Sequence, residues 1–591
     1  MLPRLRLPIV LSAGLALAGC GSSDDEEKSD PCKPALQSIA TPPIHTPRWA
    51  FEPWISKDIS DGADTRAFIQ GFEDRNIPVG VVVLDSPWET QYNTFVPNPD
   101  RYPGFADMLA ELHQKNIRVV VWVTQMVNTN SIDFEPGGDS YIGPSPNYEE
   151  GERCGFFVED ATTFGWWKGK GSAVDFFNPY AVAWWHQQQD PLYAMGLDGF
   201  KLDFGEEYIT VDPVDTHQGP VSRQEYSEEY YRDFFAYGVH ARGAEDFVTM
   251  VRPYDRSYGF PGRTYARKEN APVGWVGDNR RDFIGLEDAL DHIFRSANLG
   301  YAVLGSDIGG YLDHDDEDLL GPDIPFDQNV FVRWTAVGAL TPFMQLHGRA
   351  NITPWTVPDK VDETVAAYRY WATLHHELVP FFYSLAEATY AGGATPVRPI
   401  GAEAQWPGDY RYLLGDAFLV APILDATGKR DVPLPAGSRW YDWWKPADAA
   451  LDGGQTLTAY DATDPSRIPL FVKEGAIVPM QSAASPGALT LLVYPASADT
   501  GFVLYDDDGQ TTNVQANATT ITLSRALTTV VARIRKDAAP ATVTIGGAAA
   551  TAHADQAAFD AAKSGSYYDA TSKTLWVKVE ASDASVTIGT P

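Results

Sequence analysis

Between about residues 48 and 385 the chain alternates short apolar runs with amphipathic stretches whose apolar residues recur every three to four positions. Repeated strand–helix units lay parallel strands side by side with helices outside them, and few architectures accept that pattern. Eight apolar runs read as strands: residues 79–84, 118–123, 173–177, 199–203, 247–252, 273–276, 301–305 and 340–346. Five segments, 65–75, 105–115, 181–195, 225–242 and 286–297, carry the helical period. Eight βα units over about 340 residues is the span of a TIM (β/α)8 barrel with insertions. After residue 386, turns rich in Gly, Pro, Asp and Ser separate short strands, and Gln481-Ser482-Ala483-Ala484-Ser485-Pro486-Gly487 reads as a linker. The expected fold is therefore α/β: a barrel over 48–385, then two C-terminal antiparallel β-sandwich domains over 386–485 and 486–591.

The N-terminus reads as an export signal. Arg4 and Arg6 precede an apolar run, 7–18, that is too short to span a bilayer. Leu17-Ala18-Gly19-Cys20 has the pattern of a bacterial lipoprotein cleavage site. Residues 1–19 are thus expected to be removed, Cys20 to take the lipid, and the polar residues 20–47 to act as a tether. Gly21, rather than Asp, follows the cysteine, which points to the outer membrane. Cys32 and Cys154 remain, and the sequence leaves open whether they pair or stay as thiols. The absence of a CxxC excludes a structural zinc knuckle.

Charge excludes another class of function. With 79 acidic and 45 basic residues the formal charge is −34, which repels nucleic-acid phosphates and anionic lipid. The 17 Trp, 28 Tyr and 28 Phe among so many carboxylates lean instead towards carbohydrate, since sugar rings stack on aromatic faces and carboxylates accept hydroxyl hydrogen bonds.

The chemistry of a TIM barrel sits at the C-terminal ends of its strands. The expected strands end on, or carry, Asp85, Trp122, Asp175, Asp203, Arg252, Asp278, Asp307 and His347. Such a rim suits glycoside cleavage, in which one carboxylate attacks the anomeric carbon and a second carboxyl protonates the leaving oxygen. That chemistry requires no metal and no organic cofactor. Asp203 and Asp278 are the best pair. Lys201 and Arg252 would keep Asp203 ionised, and Trp275 would favour a protonated Asp278 by limiting hydration.

Several motifs resemble glycoside hydrolase family 31, the retaining α-glycosidases. Phe200-Lys201-Leu202-Asp203-Phe204-Gly205-Glu206 is similar to the family's nucleophile segment, and Gly274-Trp275-Val276-Gly277-Asp278 to its acid/base segment. Ser306-Asp307-Ile308-Gly309-Gly310-Tyr311 and Gln345-Leu346-His347-Gly348 match two further barrel segments. Beyond the barrel, 414–422, 432–437 with Trp440-Tyr441-Asp442, and 504–509 also resemble the family. The resemblance implies Asp203 as nucleophile and Asp278 as acid and base. It implies His347 as a partner of sugar hydroxyls, Arg252 as another or else as an ion pair of Asp203 or Glu206, Asp307 as holding sugar hydroxyls or organising the rim, and Asp85 as reader of the sugar's far side through O4 or O6. Trp122 is expected to floor the pocket, Trp275 to line it, and Lys201 to touch a hydroxyl or the nucleophile. Glu206 is expected to orient Lys201 or a loop.

Two departures bear on the substrate. Family members usually carry a β-sandwich ahead of the barrel that helps form the sugar pocket, whereas only residues 21–48 separate Cys20 from Trp49 here. Either that wall is missing or loops supply it, the insertion 125–171 being a candidate, with Trp166-Trp167-Lys168-Gly169-Lys170-Gly171 as a sugar platform and hydroxyl reader or a structural loop. Lys-Leu-Asp-Phe-Gly-Glu around Asp203 is closer to the α-xylosidase and α-galactosidase branches than to the α-glucosidases, so α-galactoside, α-glucoside and α-xyloside all stay open as substrates. The expected protein is a lipid-anchored, exo-acting, retaining α-glycosidase whose partner is an α-linked oligosaccharide. An α-transglycosidase using the same residues, or a glycan-binding lipoprotein, is the alternative. Asp313–Asp318 reads as a solvated loop, and Asp506-Asp507-Asp508-Gly509 as a hairpin turn. Trp184-Trp185 and His375-His376 are each expected to place one partner in the core.

Overall fold

The structure, a computed structural model, describes residues 30–133, 137–482 and 487–591. Residues 1–29, with Cys20 and the stretch expected to be an export signal, lie outside the described residues. Eight short parallel strands form the barrel: β1 (Trp54–Lys57), β2 (Val81–Leu84), β3 (Arg118–Val123), β4 (Gly199–Leu202), β5 (Val248–Val251), β6 (Val273–Trp275), β7 (Leu304–Gly305) and β8 (Gln345–Leu346). β8 pairs back onto β1 with Trp54 opposite Gln345. The β7–β8 seam is held by Phe343 N–H to Leu304 O at 3.2 Å and Ile308 N–H to Gln345 O at 3.0 Å. β2 is Val-Val-Val-Leu and is buried throughout, because helices cover one face and the packed interior fills the other.

Seven of the eight expected strands are barrel strands. The segment 173–177 is not: strand Gly169–Ala173 belongs to a separate four-stranded antiparallel sheet with Ser140–Ile142, Met126–Ile132 and Phe164–Trp166. The missing barrel strand is β1, whose Trp54-Ile55-Ser56-Lys57 holds only two apolar residues and leaves almost no pattern to read. Asp175, expected on the rim, instead accepts from the backbone N–H groups of Phe177 and His217 just before helix Pro179–Met195.

All five expected helices form, as Gly62–Glu73, Phe105–Gln114, Pro179–Met195, Arg223–Arg242 and Phe283–Asn298. Their starts carry sequence-local caps. Asp61 accepts from Ala63 and Asp64 N–H at 2.8 Å each, and Ser222 with Glu225 forms a reciprocal capping box. Trp184 and Trp185 are both buried, not one of the two, whereas of the histidine pair only His375 is.

The four-stranded sheet is the insertion that follows β3. Its helix Tyr148–Cys154 is tied by a Cys32–Cys154 disulfide to the segment ahead of the barrel, closing a loop across a separation of 122 residues. A disulfide closing so long a loop stabilises by about 2–4 kcal/mol. Reduction, or Cys32→Ser with Cys154→Ser, is expected to lower the thermal midpoint of the barrel by about 4 °C, read by calorimetry.

Beyond the barrel, the six-stranded sheet from Val397–Pro399 to Leu451–Asp452 presents Phe418, Val420, Leu470 and Val472 to the main core. The alternate residues Leu419 and Phe471 pack with Val432 and Leu434, in and just after a strand of the covering two-stranded antiparallel sheet Lys429–Pro433 with Thr456–Asp461. The last domain is a sandwich of a five- and a six-stranded sheet around Leu491, Val514, Ile534 and Val577. Strand Ile477–Gln481 pairs with Leu489–Val493 in that five-stranded sheet, so the expected division at 485/486 falls between two strands of one sheet. One pairing there, Leu489–Val493 with Val530–Arg535, is parallel. The hairpin Thr500–Tyr505 to Thr511–Ala516 turns at Asp506–Gly509 as expected. Among the described residues, no helix is long and apolar enough to cross a membrane.

Candidate active site

The C-terminal strand ends surround a cavity of about 470 Å³, the size of a small-molecule site. Asp85, Trp122, Lys201, Asp203 and Asp278 all line it. They come from β2, β3, β4 and β6, so residues far apart in sequence meet because each strand delivers its end to the same rim.

Arg252, following β5, organises one half. Its guanidinium is fully buried between the rings of Phe204 and Trp275, 3.7 and 4.0 Å from their centroids. Nη2 donates to Asp203 Oδ1 at 3.0 Å and to Asp278 Oδ2 at 2.7 Å, Nε donates to Asp203 Oδ1 at 3.1 Å, and Nη1 binds Asp255. One nitrogen bonded to both carboxyl groups holds their oxygens within the span of two hydrogen bonds. Retaining glycosidases keep their carboxyls at a short separation of this kind, about 5–5.5 Å, whereas inverting enzymes leave room for a water. Gly277 permits this arrangement: it sits at φ +89°, and a Cβ there would come within 2.4 Å of Asp255 Oδ2.

The two carboxyls differ in their surroundings. Asp203 accepts from Trp122 Nε1 at 3.0 Å and Phe204 N–H at 2.9 Å as well as from Arg252. Each of these hydrogen-bond partners is an N–H donor, the setting that suits a carboxylate. Asp278 is pushed up to about 6, because burial and the nearby Asp203 charge outweigh the ion pair with Arg252.

Lys201 organises the other half. Its ammonium donates to Asp85 Oδ2 at 2.7 Å, lies 3.3 Å from His347 Nε2, and sits 4.9 Å over the Trp275 ring. Burial opposes the charge, but Asp85, Asp307 and Asp203 hold the Lys201 pKa above its ordinary value. Burial and that same cation push His347 well below the usual histidine range, so the imidazole is neutral. Asp58, Asp85 and His347 present ligand-type atoms within 4.8 Å of one another. The Lys201 ammonium bonded to Asp85 and touching His347 already supplies the positive charge that a metal would bring to them.

All the expected site residues within the described part of the chain gather here except Glu206. Trp275 and His347, expected to line the pocket and to touch sugar, lie buried just behind the cavity lining, as do Asp307 and Arg252, the latter making the ion pair with Asp203 that was its other expected role. Trp275 is covered by the two cations. Asp307 takes Gln345 Nε2 at 2.6 Å across the β7–β8 seam and is pushed up to about 7 by burial. Lys201 bonds Asp85, not Asp203, so the direct cation on Asp203 is Arg252. Glu206 does not reach Lys201: it is fully buried, accepts from Ser227 Oγ at 2.7 Å, and lies 3.9 Å from Arg263. It therefore fastens the loop after β4 to helix Arg223–Arg242.

Sequence reasoning missed several contributors, among them Asp58, Asp133, Tyr208, Tyr258 and Arg349. Asp58 ends the unrecognised β1 and accepts from Tyr311 Oη at 2.8 Å. Tyr208 and Tyr258 reach the cavity from short turns after β4 and β5, and Asp133 reaches it from the insertion. None of these had a readable signal, since Asp58 follows a strand that the sequence does not announce and the others sit on turns and in the insertion. The insertion does supply a wall, through Asp133, Trp167 and Lys168.

Residues 43–385 match the family model described as the glycosyl hydrolases family 31 TIM-barrel domain, and residues 393–478 match the family 31 C-terminal domain. The chain is 27% identical to alpha-glucosidase 2 of Bacillus thermoamyloliquefaciens over 79% of its length and 25% identical to an alpha-xylosidase of Emericella nidulans over 74%. It spans 58% and 54% of those two relatives. The structure of a cycloalternan-forming enzyme from Listeria monocytogenes superimposes with a TM-score of 0.77 at 22% identity, covering 93% of this chain and 55% of that one. With the family's barrel model matched over more than half of the chain and its C-terminal model following directly, this protein belongs to glycoside hydrolase family 31.

Proposed function

We propose that the protein is a retaining α-glycosidase that removes a terminal α-linked sugar by double displacement. Asp203 attacks the anomeric carbon and forms a β-glycosyl-enzyme, while Asp278 passes its proton to the departing oxygen. Asp278 then takes a proton from water, which attacks the same carbon and releases the sugar with its α configuration. The observation that carries this reading is the Arg252 Nη2 bridge at 3.0 Å to Asp203 and 2.7 Å to Asp278, which sets a nucleophile and an acid side by side in one cavity.

A panel of 4-nitrophenyl α-glucoside, α-galactoside and α-xyloside, with NMR of the first-formed anomer, tests it. Release of the α-anomer is expected. Release of the β-anomer, or binding without turnover of any of the three, overturns the reading, and the second result favours a glycan-binding protein. A product glycosylated on added sugar assigns transfer in place of hydrolysis.

The acid must carry its proton in the free enzyme, and Asp278 sits at about 6. Raising the pH through that value removes the proton, so kcat/KM is expected to fall about tenfold per unit above pH 6. A profile flat from pH 5 to 8 contradicts Asp278 as the acid.

We further propose that the protein is a lipoprotein anchored through Cys20 at the outer membrane, which rests on Leu17-Ala18-Gly19-Cys20 following an apolar run. Cys20→Ser is expected to abolish incorporation of radiolabelled palmitate and to move the protein from the membrane fraction to the soluble one. Unchanged labelling contradicts the anchor.

A further inference from the structure

Resting on the glycosidase reading, we propose that Lys168 and Asp133 form a second hydroxyl-reading pair, which contacts the substituents of the terminal sugar farthest from the scissile bond and so selects which sugar is accepted.

Lys168 Nζ lies 3.0 Å from Asp133 Oδ2 on the cavity wall, with side chains only 3% and 1% exposed. A desolvated ion pair is a poor stabiliser compared with apolar packing of the same volume, so its place on a cavity wall calls for a polar occupant. The pair is also held in position. Asp133 Oδ2 accepts from Tyr92 Oη at 3.2 Å, and the Lys168 carbonyl accepts from Asn128 Nδ2 at 3.1 Å and Ser131 Oγ at 2.8 Å. Groups fixed in this way pay little ordering entropy when a ligand hydroxyl arrives.

Barrel geometry says which part of the sugar they meet. Asp278 follows β6, and β2 stands four strands away in the eight-membered ring, on the opposite side. Asp85 follows β2, and the insertion carrying Asp133 and Lys168 follows β3. The acid marks the side on which the leaving group departs from C1. In a pyranose ring C4 lies across from C1, with C6 beside it, so those substituents face the β2–β3 side. The Cys32–Cys154 disulfide ties the same insertion to the segment before the barrel and braces the wall that carries the pair.

The test uses the 4-nitrophenyl α-glycoside that the wild type prefers, with its 4-deoxy and 6-deoxy counterparts. Lys168→Met/Asp133→Asn removes both charges together, so neither is left buried and unpaired. The double variant is expected to lose about 10- to 100-fold in kcat/KM on the parent sugar, while matching the wild type within about twofold on the deoxy sugar that lacks the group being read. Should the double variant be insoluble, Lys168→Arg, which keeps the charge but moves the donors, is expected to shift the parent-to-deoxy ratio in the same direction. An equal loss on all three substrates, or an unchanged ratio, overturns the inference and leaves the pair a structural one. A wild type inactive on every aryl glycoside overturns the glycosidase reading itself, and this inference with it.

Discussion

Asp203→Ala is expected to abolish turnover of every glycoside, with kcat falling by about 10⁴-fold or more. The size follows from the role: without a nucleophile the reaction loses its covalent intermediate, and no other carboxylate stands in the same position. Asp278 is held on the far side of the shared Arg252 nitrogen, and Asp85 is bonded to Lys201. The fold should tolerate the change, because Arg252 keeps Asp255 as a buried counter-charge and its hydrogen bond to Asp278. Azide provides a second readout. It fits the space left by the carboxylate, attacks from the same face, and is expected to restore turnover of an aryl glycoside with a β-glycosyl azide as product. Residual activity within tenfold of the wild type, with no response to azide, would remove Asp203 from the reaction.

Asp278→Ala should separate substrates by their leaving groups. An alkoxide needs protonation as it departs, so kcat/KM on an α-linked disaccharide is expected to fall by about 10²–10⁴-fold. Dinitrophenolate departs without help, and the loss on its glycoside is expected to stay within about tenfold. Breakdown of the glycosyl-enzyme then becomes limiting, because the same residue activates water. The fall in kcat/KM above pH 6 should disappear, since burial beside Asp203 is what places that titration there. Equal loss on both substrates would assign the proton to another group. Glu206, pushed up to about 7 by burial, does not offer one: it points to Ser227 and Arg263, behind the loop after β4.

Those contrasts mark how far local pattern carries. Strands buried on both faces, such as Val81–Leu84 and Arg118–Val123, announce themselves as unbroken apolar runs, and helix starts such as Ser222 with Glu225 write their caps into adjacent residues. The acids at strand ends could therefore be read in order, and the family motifs sat where the strands placed them. β1 escaped because four residues with two polar members carry too little pattern, and Asp58 was lost with it. Segment 173–177 misled because an apolar run does not say which sheet it joins or where it ends: only Ala173 belongs to strand Gly169–Ala173, which pairs with Met126–Ile132 in the insertion, and the chain turns by Phe176.

By itself, the amino-acid order determined the barrel, the β domains after it, and the nucleophile and acid candidates. Periodicity, capping and short motifs are all properties of neighbouring residues. Tertiary structure alone decided that one Arg252 nitrogen joins Asp203 to Asp278, that Lys201 serves Asp85 rather than Asp203, that Glu206 faces away, and that Cys32 meets Cys154. Each of these is a distance between groups tens to hundreds of residues apart. Such distances are set by barrel closure and by the fold of the insertion, which no local pattern encodes.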